Sequence, residues 1–237
     1  MKGLVLSLFP GIGLLDMAFE EAGFCVVRGP DLLWGGDVRN FHPPAGRFDG
    51  VIGGPPCQAH STLAALVNRN GLAVKPDRIP EFERCVSEAA PEWFLMENVR
   101  GAPLPVVPGY YVDAHLIRDA WCGGETLRQR RFSFGSRDKR RLIFDWPALY
   151  RPDPEPAALA SGSAWDYVHK RPAGTKSRET FKNHKRLQGL PADFDLPPFT
   201  VAAKVQAVGN GVPLPMGRAV AAAVVRALES NSCEVAA

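Results

Sequence analysis

The five cysteines of this chain, Cys25, Cys57, Cys85, Cys122 and Cys233, contain no CxxC spacing and are odd in number. That pattern argues against a disulfide framework or a structural zinc and suits a reducing cytoplasm; no metal is expected. Long hydrophobic runs are also missing. No apolar stretch reaches the roughly 18–20 residues of a membrane span, so no membrane partner is expected. The N-terminal "MKGLVLSLFPGIG" has one lysine and a short apolar segment but no small-residue cleavage site. It reads as a first buried strand rather than a leader. There are no internal repeats. A strong overall charge is lacking too, because 28 Lys and Arg face 25 Asp and Glu for a net of +3.

What is present is the composition of a soluble globular chain, 46% hydrophobic and 22% charged over 237 residues. That length supports one sizeable core with a small appendage. The basic residues are unevenly spread. "RQRRFSFGSRDKRR" (128–141) and "HKRPAGTKSRETFKNHKR" (169–186) each carry seven Lys or Arg against one acid. A charge run often marks only a solvated face, but this concentration favours contact with a polyanion.

Along the chain, 3–9 is a short apolar run ending in a Pro-Gly-Ile-Gly turn. "LLDMAFEEAG" then places apolar residues at helical spacing, with Gly23 as its stop. "FCVVR" (24–28), "FDGVIGG" (48–54) and "EWFLMENV" (92–99) read as further strands. Strand, glycine turn, helix and strand open a parallel α/β sheet, in which ligands bind beyond the carboxyl ends of the strands. Those ends are Phe9–Gly13, Asp31, Cys57 and Glu97. Residues 207–228 read as a glycine–proline turn opening an apolar helix that returns to the sheet. The chain is expected to divide into a main core (1–145), a small basic region (146–185) and a returning segment that completes the core (186–237).

Each candidate has a bland reading beside the functional one. Gly11-Ile12-Gly13 after a strand lets backbone approach a nucleotide, or simply makes a tight turn; the third glycine of a dinucleotide fingerprint is replaced by Asp16. Asp31 is placed to accept ribose hydroxyls or to sit in a solvated turn. Most free cysteines are small buried hydrophobes. In "GGPPCQ", however, Pro55-Pro56 removes two N–H donors and fixes the backbone ahead of Cys57, which suits a nucleophile that must meet one atom of a substrate. Glu97 leaves the apolar "WFLM" partly desolvated, as suits a carboxyl that shares a proton.

Taken in order, these segments resemble the cytosine-C5 DNA methyltransferases over most of the chain. "LFPGIGLLDMAFEEAGF" (8–24) is similar to the family's cofactor loop and first helix, and "GDV" (36–38) to its motif at the adenine. "GGPPCQ" (53–58) is similar to its nucleophile motif, "ENV" (97–99) to its glutamate motif and "QRR" (129–131) to its arginine motif. "RLQGLP" (186–191) resembles the element bracing the recognition region, and "GNGV" (209–212) the motif closing the cofactor pocket. The resemblance implies a Rossmann-like S-adenosylmethionine-dependent methyltransferase sheet with a very small, basic target-recognition region. It implies Cys57, Glu97 and Arg131 as catalytic residues, with Arg130 the alternative for gripping the base or orienting Glu97. Phe9, Gly11, Ile12, Gly13, Leu14, Asp31, Asp37, Val38, Pro55, Asn210 and Val212 would meet the cofactor. Gln58, Ser61, Arg130, Lys170, Arg171, Lys176, Arg178, Lys182 and Lys185 would meet nucleic acid. Asp31 and Asp37 are only six residues apart, which leaves no room for the helix and strand that usually separate those motifs.

In the implied reaction the Cys57 thiolate adds to C6 of a flipped-out cytosine, C5 takes the methyl group, and 5-methylcytosine is released. Double-stranded DNA is the expected partner, with a context of about two to four base pairs because each base read needs its own contacts. A cytoplasmic, monomeric modification enzyme of bacterial or phage type is expected. The alternatives are the same chemistry on tRNA, a silent nucleic-acid-binding relative, and a nicotinamide oxidoreductase; the absent third glycine and the Pro-Pro-Cys loop argue against the last.

Overall fold

A computed structural model describes residues 1–56, 76–146, 154–162 and 176–230. Its centre is a six-stranded sheet. In chain order the strands are β1 (Leu4–Leu8), β2 (Cys25–Arg28), β3 (Gly50–Gly53), β4 (Trp93–Asn98), β5 (Tyr111–Arg118) and β6 (Gln129–Ser136), and across the sheet they run β2-β1-β3-β4-β6-β5. The first four in that order are parallel and the last two join antiparallel.

Central position explains sequence here. β1 (LVLSL), β3 (GVIG) and the WFLM of β4 are apolar without alternation because helices cover both faces. On one face Val5, Ile52, Trp93 and Leu95 meet Leu15 and Phe19 of α1 (Leu14–Glu21) and Met216, Val220 and Val224 of α5 (Leu214–Ser230). On the other, Leu6, Leu8, Val51, Phe94 and Met96 meet Ile79, Phe82 and Val86 of α2 (Ile79–Ala89). Burying so many large side chains at about 1.5–3 kcal/mol each is the main force holding the layers together.

Two further helices, α3 (Arg178–Leu187) and α4 (Val201–Asn210), pack on each other beside the start of α1. Ser177 caps α3 through Thr180 N and Thr200 caps α4 through Ala203 N. The expected turn-then-helix over 207–228 is shifted: Gly209 and Asn210 end α4, and the turn is Gly211–Pro213. Counted together, 201–230 is long and apolar enough to cross a membrane by length and composition, yet 56% of its apolar window is buried inside the protein, as in a core helix.

Between β2 and β3 there are only two short 3-10 turns, Leu32–Trp34 and Val38–Asn40. Among the described residues β2 is therefore an edge strand, as the close spacing of Asp31 and Asp37 requires.

Candidate active site

The carboxyl ends of β1, β3 and β4 lie side by side, since Leu8 pairs with Gly53 and Gly53 with Met96. Glu97 therefore emerges next to Gly54. A Cβ placed on Gly54 would stand 3.0 Å from Glu97 Oε2, so the bare glycine leaves the carboxylate its place. Asn98, 2% exposed, donates from Nδ2 to the Pro55 carbonyl at 3.2 Å, and its Oδ1 accepts from Val99 N. The asparagine of ENV thus fastens the Pro-Pro segment to β4. Pro55 is buried and Pro56 exposed. Cys57, Gln58 and Ser61 lie outside the described residues, as do Lys170 and Arg171.

The arginines of β6 divide their work by strand alternation. Arg130 places Nε 2.8 Å from Glu97 Oε1, with both side chains largely shielded from solvent. Arg131 turns the other way and donates to the carbonyls of Ala102 (2.6 Å) and Arg100. Of the two arginines that the sequence offers for orienting Glu97, the structure pairs Arg130, the alternative to Arg131 and also a candidate nucleic-acid contact, with the carboxylate.

Arg128, which the sequence reading did not single out, is 4% exposed and donates to the carbonyls of Ala158 (2.9 Å) and Asn210 (3.5 Å). It ties β6 to the 154–162 segment and to the end of α4. Its signal in the sequence is its place two residues before Arg130, in the first basic window.

The loop after β1 has an unusual backbone. Phe9, Gly11 and Gly13 have φ of 55°, 56° and 81°, a left-handed conformation that is strained for a phenylalanine. The loop is held from outside. Asp31 Oδ2 accepts from Gly11 N at 2.8 Å, Oδ1 accepts from Leu33 N at 2.7 Å, and Trp34 Nε1 donates to the Gly11 carbonyl at 2.6 Å. Asp31 is thus a brace for the glycine loop as well as a candidate ribose ligand. Trp34 also meets Phe199 edge-on, with ring centres 5.3 Å apart.

Asp37 caps its own turn and pairs with Arg39 at 2.5 Å; the hydrogen bonds from Arg39 pull its carboxyl down to about 2. Leu14, Val38 and Val212 are buried in the core, and partly buried Ile12 packs with Leu14; these apolar candidates shape the floor. Asn210 is exposed, and the next residue, Gly211, lies against Leu14 at the start of α1, where a Cβ would come within 2.5 Å of Leu14 Cδ1.

A methyl donor with an adenosine moiety fits these features. A Cβ on Gly11 would meet nothing within 4 Å, so the space beside this backbone is open. Gly13 caps α1 without a side-chain bond, so the helix N-terminus faces the loop. Asp31 supplies a carboxylate at the loop itself.

In the first basic window Arg137 stands just past the opposite end of β6, roughly 23 Å along the strand from Arg130, engaged with Pro91 and Tyr110, and Arg141, after the turn that follows, is engaged with Tyr111. In the second window Arg178 and Lys182 are exposed one turn apart on α3, with Lys176 just before it. Lys185 is drawn away from a nucleic-acid role, because its ammonium donates to the carbonyls of Ala192 and Phe194.

The sequence profile of C-5 cytosine-specific DNA methylases matches residues 35–103. Type II methyltransferase M.FnuDI of Fusobacterium nucleatum is 28% identical over 221 residues, covering 78% of this chain and 63% of that protein. M.MthTI of Methanothermobacter thermautotrophicus is 27% identical over 209 residues, covering 76% and 61%. The chain thus spans somewhat under two thirds of the length of these relatives. The fold is shared with a protein described as a DNA modification methyltransferase encoded within an Escherichia coli prophage (TM-score 0.66, 17% identity, 95% and 99% of the two chains). It is shared also with a Spodoptera frugiperda DNMT2 variant (TM-score 0.60, 13% identity, 95% and 99%).

Proposed function

We propose that this chain, a relative of the C-5 cytosine-specific DNA methylases, transfers a methyl group from S-adenosylmethionine to C5 of a cytosine flipped out of double-stranded DNA. The observation that carries this reading is the Glu97–Arg130 pair, set beside Gly54 and therefore three residues from Cys57. A shielded carboxylate held by a guanidinium is suited to engage the N3 edge of a pyrimidine while a nucleophile works on the ring.

The Phe9–Gly13 loop, Asp31, Asp37 and Asn210 would hold the cofactor. When bound, S-adenosylmethionine supplies the electrophilic methyl group that the activated C5 takes up. The chain supplies the rest. The Cys57 thiolate adds to C6, which moves electron density to C5, and Glu97 shares a proton with N3. Arg130 fixes the direction of Glu97, and Asn98 fixes the Pro55 end of the nucleophile loop. A base from solvent, water or hydroxide, takes the C5 proton, the C5–H electron pair re-forms the C5–C6 double bond, and the Cys57 sulfur leaves as the thiolate. Flipping the base costs a few kcal/mol, offset by contacts in the pocket. Lys176, Arg178 and Lys182 would contact phosphates at the edge of the recognition region, with a short sequence context of about two to four base pairs. The reading is of a cytoplasmic modification enzyme.

The test is transfer of labelled methyl groups from S-adenosylmethionine to duplex DNA and to tRNA, offered separately and in competition. DNA is the expected acceptor. Transfer to tRNA alone would overturn the substrate, and no transfer to either would overturn the reaction.

A further inference from the structure

Asp16 stands where a dinucleotide fingerprint has its third glycine, in the first turn of α1, and is 1% exposed. The mechanism above makes no use of it. A charge that far from water is costly unless it is held, and this one is held from two strands. Ser7 of β1, itself 1% exposed, donates from Oγ to Asp16 Oδ1 at 2.5 Å. Arg28 of β2 brings Nε to 3.0 Å from Asp16 Oδ2. The other end of that guanidinium lies against the cofactor loop, where a Cβ on Gly13 would fall 2.7 Å from Arg28 Nη2. Ser7 is also the last residue but one of β1, two residues ahead of the left-handed Phe9.

We infer that Asp16 is a positioning residue for the Phe9–Gly13 loop: its carboxylate, anchored on Ser7, holds the Arg28 guanidinium against Gly13 and so sets the loop conformation that the methyl donor meets. The inference rests on the proposed role of that loop. Asp16 joins β1 and α1, between which the loop is strung, and ties both to the neighbouring β2. Asp31 and Trp34 grip the same loop at Gly11, so Asp16 supplies the second of two holds, at the helix end. A glycine at position 16 would leave Arg28 without its buried partner.

The charged groups facing Asp16 are Arg28 and, one turn along α1, Glu20; Ser7 faces it from β1. Burial raises its carboxyl above the ordinary aspartate range, Ser7 and Arg28 work against that, and Glu20 adds to it. The sign follows. The folded state favours the protonated form, so this group's contribution to stability is fully present below the unfolded value and declines as pH rises through the folded one. Charge at Asp16 therefore costs stability near neutrality while holding the loop.

Asp16→Asn keeps an acceptor for Ser7 and removes the charge. The full chain is compared with this variant and with Arg28→Gln, whose side chain is half exposed. Amide hydrogen exchange over residues 8–15 is read without ligand, S-adenosylhomocysteine affinity by calorimetry, and thermal stability alongside. Both variants are expected to speed exchange in the loop. Asp16→Asn should weaken S-adenosylhomocysteine binding about tenfold, the loss of one charge-assisted contact, with thermal stability equal or higher. In the wild type, affinity should fall on acidification with a midpoint above that of a free aspartate, and Asp16→Asn should flatten that profile. Unchanged exchange in Arg28→Gln overturns the inference, as does unchanged affinity in a folded Asp16→Asn. If loop exchange responds but the wild type binds no S-adenosylhomocysteine, the hold stands and the cofactor reading falls.

Discussion

Arg130 and Glu97 meet across neighbouring antiparallel strands at 2.8 Å, while Arg131, one residue along, serves the 100–102 turn on the other side. Glu97 pairs in register with Phe132, so Arg130 reaches it as the diagonal neighbour on the same face. The adjacent arginines therefore have separable roles.

Arg130→Ala is expected to lower single-turnover methyl transfer on the order of 100-fold, within the range for a lost acid–base element. Arg131→Ala should act on stability more than on chemistry. Single-turnover rates and denaturation midpoints of both variants check this. Equal catalytic losses would contradict the division.

Asn98 holds the Pro55 carbonyl from a buried position. Asn98→Ala leaves that carbonyl without its side-chain donor and loosens the approach to Cys57. The expected result is about a tenfold fall in kcat with S-adenosylhomocysteine affinity unchanged, read by steady-state kinetics beside calorimetry.

Asp31 accepts from both Gly11 N and Leu33 N. Asp31→Ala releases one side of the loop, and S-adenosylhomocysteine affinity should fall about tenfold or more. Asp31→Asn, which keeps an acceptor oxygen, should restore part of it. An intact affinity in Asp31→Ala would remove this residue from the cofactor site.

Arg178 and Lys182 present two exposed charges one turn apart on α3. Replacing either with alanine should weaken DNA binding evenly across sequences and reduce the slope of log affinity against log salt by about one. Lys185→Ala, at a side chain already engaged with two carbonyls, should leave that slope alone and lower thermal stability.

The parallel half of the sheet was legible because β1, β3 and β4 are buried on both faces and show unbroken apolar runs that end in the glycine, proline and glutamate motifs. β5 and β6 were not. Tyr111–Arg118 is an edge strand with charged and apolar residues mixed, and Gln129–Ser136 opens on charges that looked like a basic surface run. The same mixing hid which arginine meets Glu97, since strand alternation, and not motif alignment, decides where each guanidinium points. Asp31 was found for its place beyond β2, but its bond to Gly11 depends on a turn of the chain that composition does not reveal. Asp16 was noticed only as a missing glycine, because its partners Ser7 and Arg28 come from two other strands.

The central claim, that Cys57 and the Glu97–Arg130 pair methylate cytosine in DNA, is tested most directly by base-resolution mapping of 5-methylcytosine in DNA from cells expressing the chain, beside Cys57→Ala and Arg130→Ala. The account predicts methylation at one short motif in the wild type, none in Cys57→Ala and a strongly reduced level in Arg130→Ala. Unmethylated DNA from cells holding soluble, folded wild-type protein, or methylation that persists in Cys57→Ala, would contradict it.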